Sequence, residues 1–319
     1  VLAGENYNER VEPASITKVM TSYTLAAEQK NGKIKPDDQV MLSERAWREG
    51  GAGTAGSYSG FAVNQTARLL DMEKGMAVQS GNDAAIALAE HAAGSEEAFA
   101  SLMNNYAAKI GMKGSHFVNA HGLSAPEHYS TAYDLALLGQ ALIRDYPETY
   151  AFNKIKEFTV GTITQPNRNL LLWRDPSVDG IKTGHHSGAG YCLMSSAKRG
   201  DQRLVAVVMG SNSERQRADA SLAEAITAAA SEYQRVRADF PELLDLDENA
   251  QVHEVQSGFV NFYAEDAVNP YIALAARGPW VITLNGAVLY DAGGYGMLGL
   301  GHTPEAVMEA MSRPQVMAN

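Results

Sequence analysis

The feature that most restricts the possible folds is a β-hairpin signal about two thirds of the way along the chain. Apolar runs from Tyr191 to Ala197 and from Leu204 to Met209 flank the turn residues 198–201. Two such runs around a Gly-containing turn predict antiparallel strands. The alanine-rich stretch from Arg217 to about Arg237 then predicts one long helix. Together they indicate an α+β fold, with helices covering an antiparallel sheet, rather than regular βαβ alternation.

Helix signals precede this hairpin. The stretch that begins at Ser15 carries apolar residues at spacings of three and four, which predicts a largely buried helix with Ser15 and Lys18 in its first turn. Ser95 opens a second helical segment with one apolar side. Thr131 and Asp134 form a capping pair ahead of a third.

Composition excludes several classes of protein. The 319 residues carry a net charge of −11 and contain no dense Lys/Arg run, so we expect no nucleic-acid partner. The lone Cys192 cannot form an internal disulfide. No His, Cys or carboxylate spacing near the adjacent His185 and His186 resembles a zinc site, so we expect no metal. No apolar run approaches the roughly 20 residues that cross a bilayer.

A change of composition predicts a domain boundary. The segment from Asp239 to Glu254 is acidic and contains Pro241, and a Gly-rich stretch lies beyond it at 278–301. We therefore predict a first domain over residues 1–238, a linker over 239–266 and a separate segment over 267–319.

Three short motifs occur in order, and their order is more informative than any one of them. They are Ser15-Ile16-Thr17-Lys18, Ser80-Gly81-Asn82 and Lys182-Thr183-Gly184.

The first motif predicts nucleophilic catalysis. Helical residues three apart share a face, so the amine of Lys18 can lie beside the hydroxyl of Ser15. Serine is a poor nucleophile without a base, and a lysine can be that base only if burial and nearby cations keep it partly neutral. We therefore predict a partly buried Lys18. Lys182 would supply positive charge and orient Ser80, which would relay a proton to the leaving amine.

The third motif predicts a substrate-binding strand. Gly184 leaves room for a substrate backbone, and Thr183 offers a hydroxyl to a carboxylate. The backbone N–H groups of Ser15 and His185 are the candidate oxyanion hole. Asn82 is expected to hold the substrate amide.

These residues resemble the low-molecular-mass penicillin-binding proteins, which are serine D-alanyl-D-alanine carboxypeptidases. The similarity runs from about Leu2 to Arg237. It implies a β-lactamase/transpeptidase-like sheet flanked by helices, with a helical subdomain. It also implies a Ser15 acyl-enzyme, peptidoglycan stem peptides ending in D-Ala-D-Ala as substrate, acylation by penicillins and a periplasmic location. The segments that carry it are 13–22, 79–85, 119–123 and 178–185.

The resemblance adds three residues near the site. Arg168 and Arg217 match basic positions of the family, and Arg168 is expected to help bind the terminal carboxylate, although an ordinary surface cation stays an open interpretation for both. His121 lies in a family motif, where a histidine bonding the loop backbone is the expected role.

Two departures from the family are expected to matter. Family members begin with a signal peptide and a strand ahead of the segment that opens here, so we expect one strand of the first hairpin to be missing and a sheet edge to be exposed. We also expect neither the β-rich second domain nor a membrane anchor in this chain.

The last fifty or so residues resemble the opening segment of class III pyridoxal-phosphate aminotransferases. That chemistry needs a lysine for the Schiff base, and residues 201–319 contain none. We therefore expect no cofactor, and we interpret the tail glycines as turn positions.

Two alternatives stay open. A class A-like β-lactamase would need a carboxylate between the second and third motifs to activate the deacylating water. The stretch from Ser115 to Leu123 has none, and Glu127 is the nearest acid, so we predict slow deacylation of penicillin. The other alternative is a non-catalytic peptidoglycan-binding remnant with an intact cleft.

Overall fold

The computed structural model describes residues 6–51, 56–200, 202–214, 220–256, 272–277 and 280–290. These residues form two compact units, 7–214 and 220–290. Arg217 and the tail beyond residue 290 lie outside the described residues.

The helices of the first unit begin with a 3-10 turn at Ala14–Ile16 that runs directly into α1. Ser95 Oγ accepts the Ala98 N–H (3.1 Å), and Thr131 Oγ1 accepts the Asp134 N–H (3.0 Å). Both predicted helix starts are thereby confirmed. The helices are α1 Thr17–Lys30, α2 Glu44–Gly50, α3 Leu69–Gln79, α4 Asn82–Ala93, α5 Glu96–Ile110, α6 Ala132–Asp145, α7 Pro147–Tyr150 and α8 Leu171–Arg174.

The main sheet of this unit is antiparallel, in the order β5-β6-β7. The predicted hairpin is confirmed, and the fold is α+β. Among the described residues β7 pairs only with β6. The absence of one strand of the first hairpin stays a prediction, because residues 1–5 lie outside the described residues. The strands are β1 Gln39–Met41, β2 Thr66–Arg68, β3 Glu157–Val160, β4 Ile163–Pro166, β5 Val178–His186, β6 Gly190–Arg199 and β7 Gln202–Ser211, with β1-β2 and β3-β4 as separate pairs.

The core of the first unit encloses α1 on most of its circumference. Residues 17–28 of this helix are all buried, because α3, α4, α5 and α6 pack around it. Lys18 is only 1% exposed, although its neighbours in this core are mainly aliphatic and aromatic. A cation at such a position is costly unless it is neutralised or hydrogen-bonded, so the surroundings of Lys18 determine its chemistry.

A charged pair attaches the start of strand β5 to strand β7. Arg203 donates from both Nη atoms to the Asp179 carboxylate, at 2.8 and 2.7 Å. The Tyr150 hydroxyl donates to the same carboxylate at 2.5 Å. Two parallel charge-assisted hydrogen bonds hold a geometry more firmly than one, so the strand that carries Lys182 starts from a fixed point.

The described residues of the second unit form three helices and a three-stranded antiparallel sheet in the order β10-β9-β8. Gly286 has φ +84° in the turn before β10, the turn role expected for a glycine of this region. The elements are α9 Ala220–Asp239, α10 Pro241–Leu244, α11 Glu248–Gln256, β8 Ala273–Arg277, β9 Trp280–Thr283 and β10 Val288–Tyr290.

The division between the units differs from the boundary expected from composition. It falls ahead of α9, not after it, because α9 packs against β8 and β9. The expected linker at 239–266 carries α10 and α11. The aminotransferase-like character of the tail stays a prediction. No helix within the described ranges is both long and apolar enough to cross a bilayer.

Candidate active site

The amine of Lys18 lies among three oxygen atoms. Its Nζ is 2.9 Å from Ser15 Oγ, 2.6 Å from Asn82 Oδ1 and 2.6 Å from the His121 carbonyl oxygen. These acceptors come from the turn before α1, the start of α4 and the loop after α5. The first two predicted motifs therefore meet at one nitrogen atom.

The electrostatic surroundings lower the pKa of Lys18 well below its ordinary value. Burial is the main cause, and the positive charges of Lys182 and Arg168 act in the same direction. The carboxylates of Asp83 and Glu96 oppose this shift. A lowered pKa favours the neutral amine, which is the form that a proton acceptor requires.

Both protonation states of Lys18 fit the same three oxygen atoms. As an ammonium group, Lys18 donates one proton to each of them. As a neutral amine, it donates to Asn82 Oδ1 and His121 O, and its lone pair faces Ser15, whose hydroxyl then donates. A proton can therefore pass from Ser15 to Lys18 without a rearrangement of heavy atoms.

Ser15 lies in the 3-10 turn immediately before α1, two residues ahead of the regular helix, which begins at Thr17. Ala14, just before it, has φ +47°, a left-handed conformation that is strained for a residue with a Cβ. Gly122, with φ +89°, passes so close to the Ala14 carbonyl that a Cβ there would overlap its oxygen. Ser15 is thus held in a turn that a loop about a hundred residues away supports.

Ser80 occupies the sharp junction between α3 and α4. It adopts a left-handed conformation with φ +66°. Its Oγ is buried and has no hydrogen-bond partner among the described residues. Lys182, which is expected to orient Ser80, does not hydrogen-bond to this Oγ. Its Nζ donates to the Thr183 carbonyl oxygen at 3.0 Å, and the role of Lys182 towards Ser80 stays a prediction.

The strand β5 passes directly against the turn that contains Ser15. A Cβ at Gly184 would lie 3.1 Å from Ala14 Cβ and 3.2 Å from Ser15 N. The glycine therefore leaves room for the chain around Ser15. The room that it is expected to leave for a substrate backbone stays a prediction. Thr183 is buried, and the exposed ring of His185 stacks on Tyr191 with their centroids 4.0 Å apart.

Arg168 extends from a firmly held segment. It is exposed between the buried Asn167 and Asn169, and the Pro166 carbonyl accepts a hydrogen bond from Gln79 at 3.0 Å. Since Gln79 precedes Ser80, this places the Arg168 segment beside the second motif. Arg217, the other predicted arginine, lies outside the described residues.

No cluster of three or more His, Cys, Asp or Glu side chains suited to a metal ion occurs in the part of the chain that the structure describes. Glu127, the nearest acid considered for a β-lactamase-like reaction, is exposed.

Comparison with known proteins decides the family. The family model for D-alanyl-D-alanine carboxypeptidase, peptidase family S11, matches residues 1–213. The chain belongs to the D-alanyl-D-alanine carboxypeptidase family. The carboxypeptidase DacC of Escherichia coli is 49% identical over 223 residues, which cover 69% of this chain and 56% of DacC. The chain thus spans little more than half the length of this curated relative.

Solved structures of the carboxypeptidase family and its neighbours agree with this assignment. Penicillin binding protein 5 from Haemophilus influenzae is 41% identical, with a TM-score of 0.68 over 72% of this chain and 67% of that one. Penicillin-binding protein D2 from Listeria monocytogenes, solved in the ampicillin-bound form, is 28% identical with a TM-score of 0.60, over 70% of this chain and 90% of that one.

Sequence reasoning missed two groups of this carboxypeptidase-family site. The His121 carbonyl that accepts from Lys18 is a backbone atom, and its residue type carries no signal for that role. Glu96, which lies behind His121 and is 5% exposed, was interpreted only as part of a helix start. The family motif at 119–123 was the one available signal for the first of them.

Proposed function

We propose that the chain is a serine-type D-Ala-D-Ala carboxypeptidase that removes the terminal D-Ala from peptidoglycan stem peptides. The observation that carries this proposal is the 2.9 Å separation between Ser15 Oγ and the buried Lys18 Nζ. A serine hydroxyl beside an amine with a lowered pKa is an activated nucleophile.

Acylation follows from this pair. Lys18 takes the hydroxyl proton as Ser15 Oγ attacks the carbonyl carbon of the penultimate D-Ala. The backbone N–H groups of Ser15 and His185 would stabilise the oxyanion, a type of contribution worth about 3 kcal/mol per donor. The C–N bond then breaks, the departing D-Ala amine receives the proton through the Ser80 hydroxyl, and an ester on Ser15 remains.

Substrate binding would use the remaining predicted groups. Thr183 and Arg168 would bind the terminal carboxylate, and the Asn82 amide nitrogen would hold the substrate amide while its Oδ1 stays on Lys18. Water would hydrolyse the ester with Lys18 as base. A periplasmic location, where stem peptides occur, fits the membership of a cell-wall enzyme family.

Penicillins would acylate Ser15 as mimics of the substrate. The ampicillin-bound structure of the Listeria relative supports this part of the proposal. Since the nearest acid of the β-lactamase type, Glu127, is exposed, the penicilloyl ester is expected to be long-lived.

The first test is the intact mass of the protein after brief exposure to benzylpenicillin. We expect one penicillin mass on the wild type and on Ser101→Ala, an exposed serine of α5, and none on Ser15→Ala. D-Ala release from a peptide ending in D-Ala-D-Ala should depend on Ser15 in the same way. An adduct without D-Ala release would indicate the non-catalytic binder, and rapid turnover of penicillin would indicate a β-lactamase.

A further inference from the structure

Glu96 is buried behind the loop that supplies a carbonyl oxygen to Lys18. We propose that Glu96 is a positioning residue: it holds the loop 119–123 so that the His121 carbonyl oxygen stays on the Lys18 amine, and its charge biases the protonation of that amine. The catalytic part of this inference rests on the proposed function.

The Glu96 carboxylate contacts this loop at two points. Its Oε1 accepts the Ala120 N–H at 2.9 Å and lies 3.4 Å from His121 Nε2. Its Oε2 lies 3.4 Å from Arg45 Nη2. Three donors and no acceptor face this side chain in these contacts, which is the arrangement that an ionised carboxylate needs.

The His121 ring has a defined tautomer. Its Nδ1 accepts the Leu123 N–H at 3.1 Å, so the proton of the neutral ring lies on Nε2, which faces Glu96. Burial, and next the positive charge of Lys18, lower the pKa of His121 to about 3. The ring is therefore neutral at working pH and acts as a fixed hydrogen-bond element rather than as a base.

The rest of the loop is internally fixed and transmits this restraint. Asn119 Oδ1 accepts the Gly122 N–H at 2.7 Å, and Asn119 Nδ2 donates to the Leu123 carbonyl at 3.0 Å. Thr21 Oγ1 donates to the Ala120 carbonyl at 2.6 Å, which ties the loop to α1. Glu96 ties the loop to α5. The two ties act on the same residue, because Glu96 accepts from the Ala120 N–H and Thr21 donates to the Ala120 carbonyl.

Electrostatics gives Glu96 a second effect. Burial raises the pKa of Glu96, and the negative charges of Glu49 and Glu97 raise it further. The hydrogen bond from the Ala120 N–H and the positive charge of Arg45 lower it. The negative charge of Glu96 favours the ammonium form of Lys18, and so does that of Asp83. The positive charges of Lys182 and Arg168 favour the neutral amine. Removal of the Glu96 charge alone should therefore lower the pKa of Lys18 further.

Two substitutions separate the geometric effect from the charge effect. Glu96→Gln keeps an oxygen for the Ala120 N–H and removes the charge, whereas Glu96→Ala removes both. Glu97→Gln is the matched control, because Glu97 is the next residue of α5, also lies near Arg45 (3.5 Å) and has a side chain 73% exposed. Melting curves of all variants establish that they are folded.

Two measurements are needed. The first is the pH dependence of the second-order rate constant for benzylpenicillin acylation, and the second is the titration of the Lys18 13Cε resonance, assigned by its loss in Lys18→Gln. For Glu96→Gln we expect the acid limb and the Lys18 titration to move to lower pH by about half a unit or more. For Glu96→Ala we expect the plateau rate to fall by about 10- to 100-fold, and for Glu97→Gln no change.

The outcomes distinguish this inference from the proposed function. If the wild type forms no adduct, the proposed function fails, and the Lys18 titration in Glu96→Gln still decides the electrostatic part of the inference. The inference is wrong if the wild type is acylated and neither variant behaves as expected. In that case Glu96→Gln would show the wild-type pH profile and Lys18 titration, and Glu96→Ala would show the wild-type plateau rate. A loss of rate that Glu97→Gln reproduces would also overturn it.

Discussion

Glu73 of α3 offers a direct test of the electrostatics of this fold. It is 2% exposed, Gln29 Nε2 donates to its Oε1 at 3.1 Å, and its Oε2 is buried with no hydrogen-bond partner among the described residues. Burial raises its pKa from 4.5 to about 8. Between these two values the folded protein holds a proton that the unfolded chain releases, so stability falls as pH rises through that window.

The magnitude follows from linkage. At pH 7 the unfolded carboxyl is 2.5 units above its own pKa, and at 1.36 kcal/mol per unit the folded state loses about 3 kcal/mol relative to pH 4.5. Glu73→Gln removes this titration and keeps an oxygen for Gln29. We therefore expect the free energy of unfolding of the variant, relative to wild type, to rise by about 3 kcal/mol between pH 4.5 and 7.

The assay is urea unfolding of both proteins at several pH values from 4.5 to 8.5. Other titrating groups cancel in the difference between the two proteins. Glu148→Gln, an exposed acid of α7, should differ from wild type by less than about 0.5 kcal/mol throughout. A Glu73→Gln difference that does not change with pH would refute the reasoning.

Two further substitutions probe the loop around the site. Gly122 has φ +89°, and Gly122→Ala would place a Cβ against the Ala14 carbonyl. We expect the free energy of unfolding, measured in urea, to fall by about 2 kcal/mol or more, and penicillin acylation to become slower. The control Gly94→Ala, at φ +81° in open space, should show only the smaller cost of backbone strain. His128 Nε2 lies 2.9 Å from Thr17 Oγ1, and burial lowers the pKa of this histidine to about 4. Its stabilising effect is present above pH 6.5 and is lost as pH falls towards 4. His128→Gln should therefore remove about 2 kcal/mol of acid sensitivity between pH 7 and 4.5, measured by the same unfolding assay. Equal acid sensitivity of variant and wild type would contradict this.

Local patterns predicted much of the fold. The caps at Ser95 and Thr131, the hairpin and the proximity of Ser15 to Lys18 all depend on residues a few positions apart, where helix and strand periodicity is informative. The groups that complete the site depend on contacts that no local pattern contains. The His121 carbonyl reaches Lys18 across 103 positions of sequence, and a glutamate such as Glu73 on a helix would ordinarily be assigned to the surface.

The same long-range contacts connect stability to catalysis. Ala14 and Ser80 both adopt left-handed conformations, each at a cost of about 1–3 kcal/mol for a residue with a Cβ. Neither conformation is favoured by its own short segment. Ala14 is held where Gly122 and Gly184 pack against its turn, and Ser80 is held at the junction of α3 and α4. Substitutions that loosen these neighbours should release the strain locally, so acylation should decline before the unit as a whole unfolds.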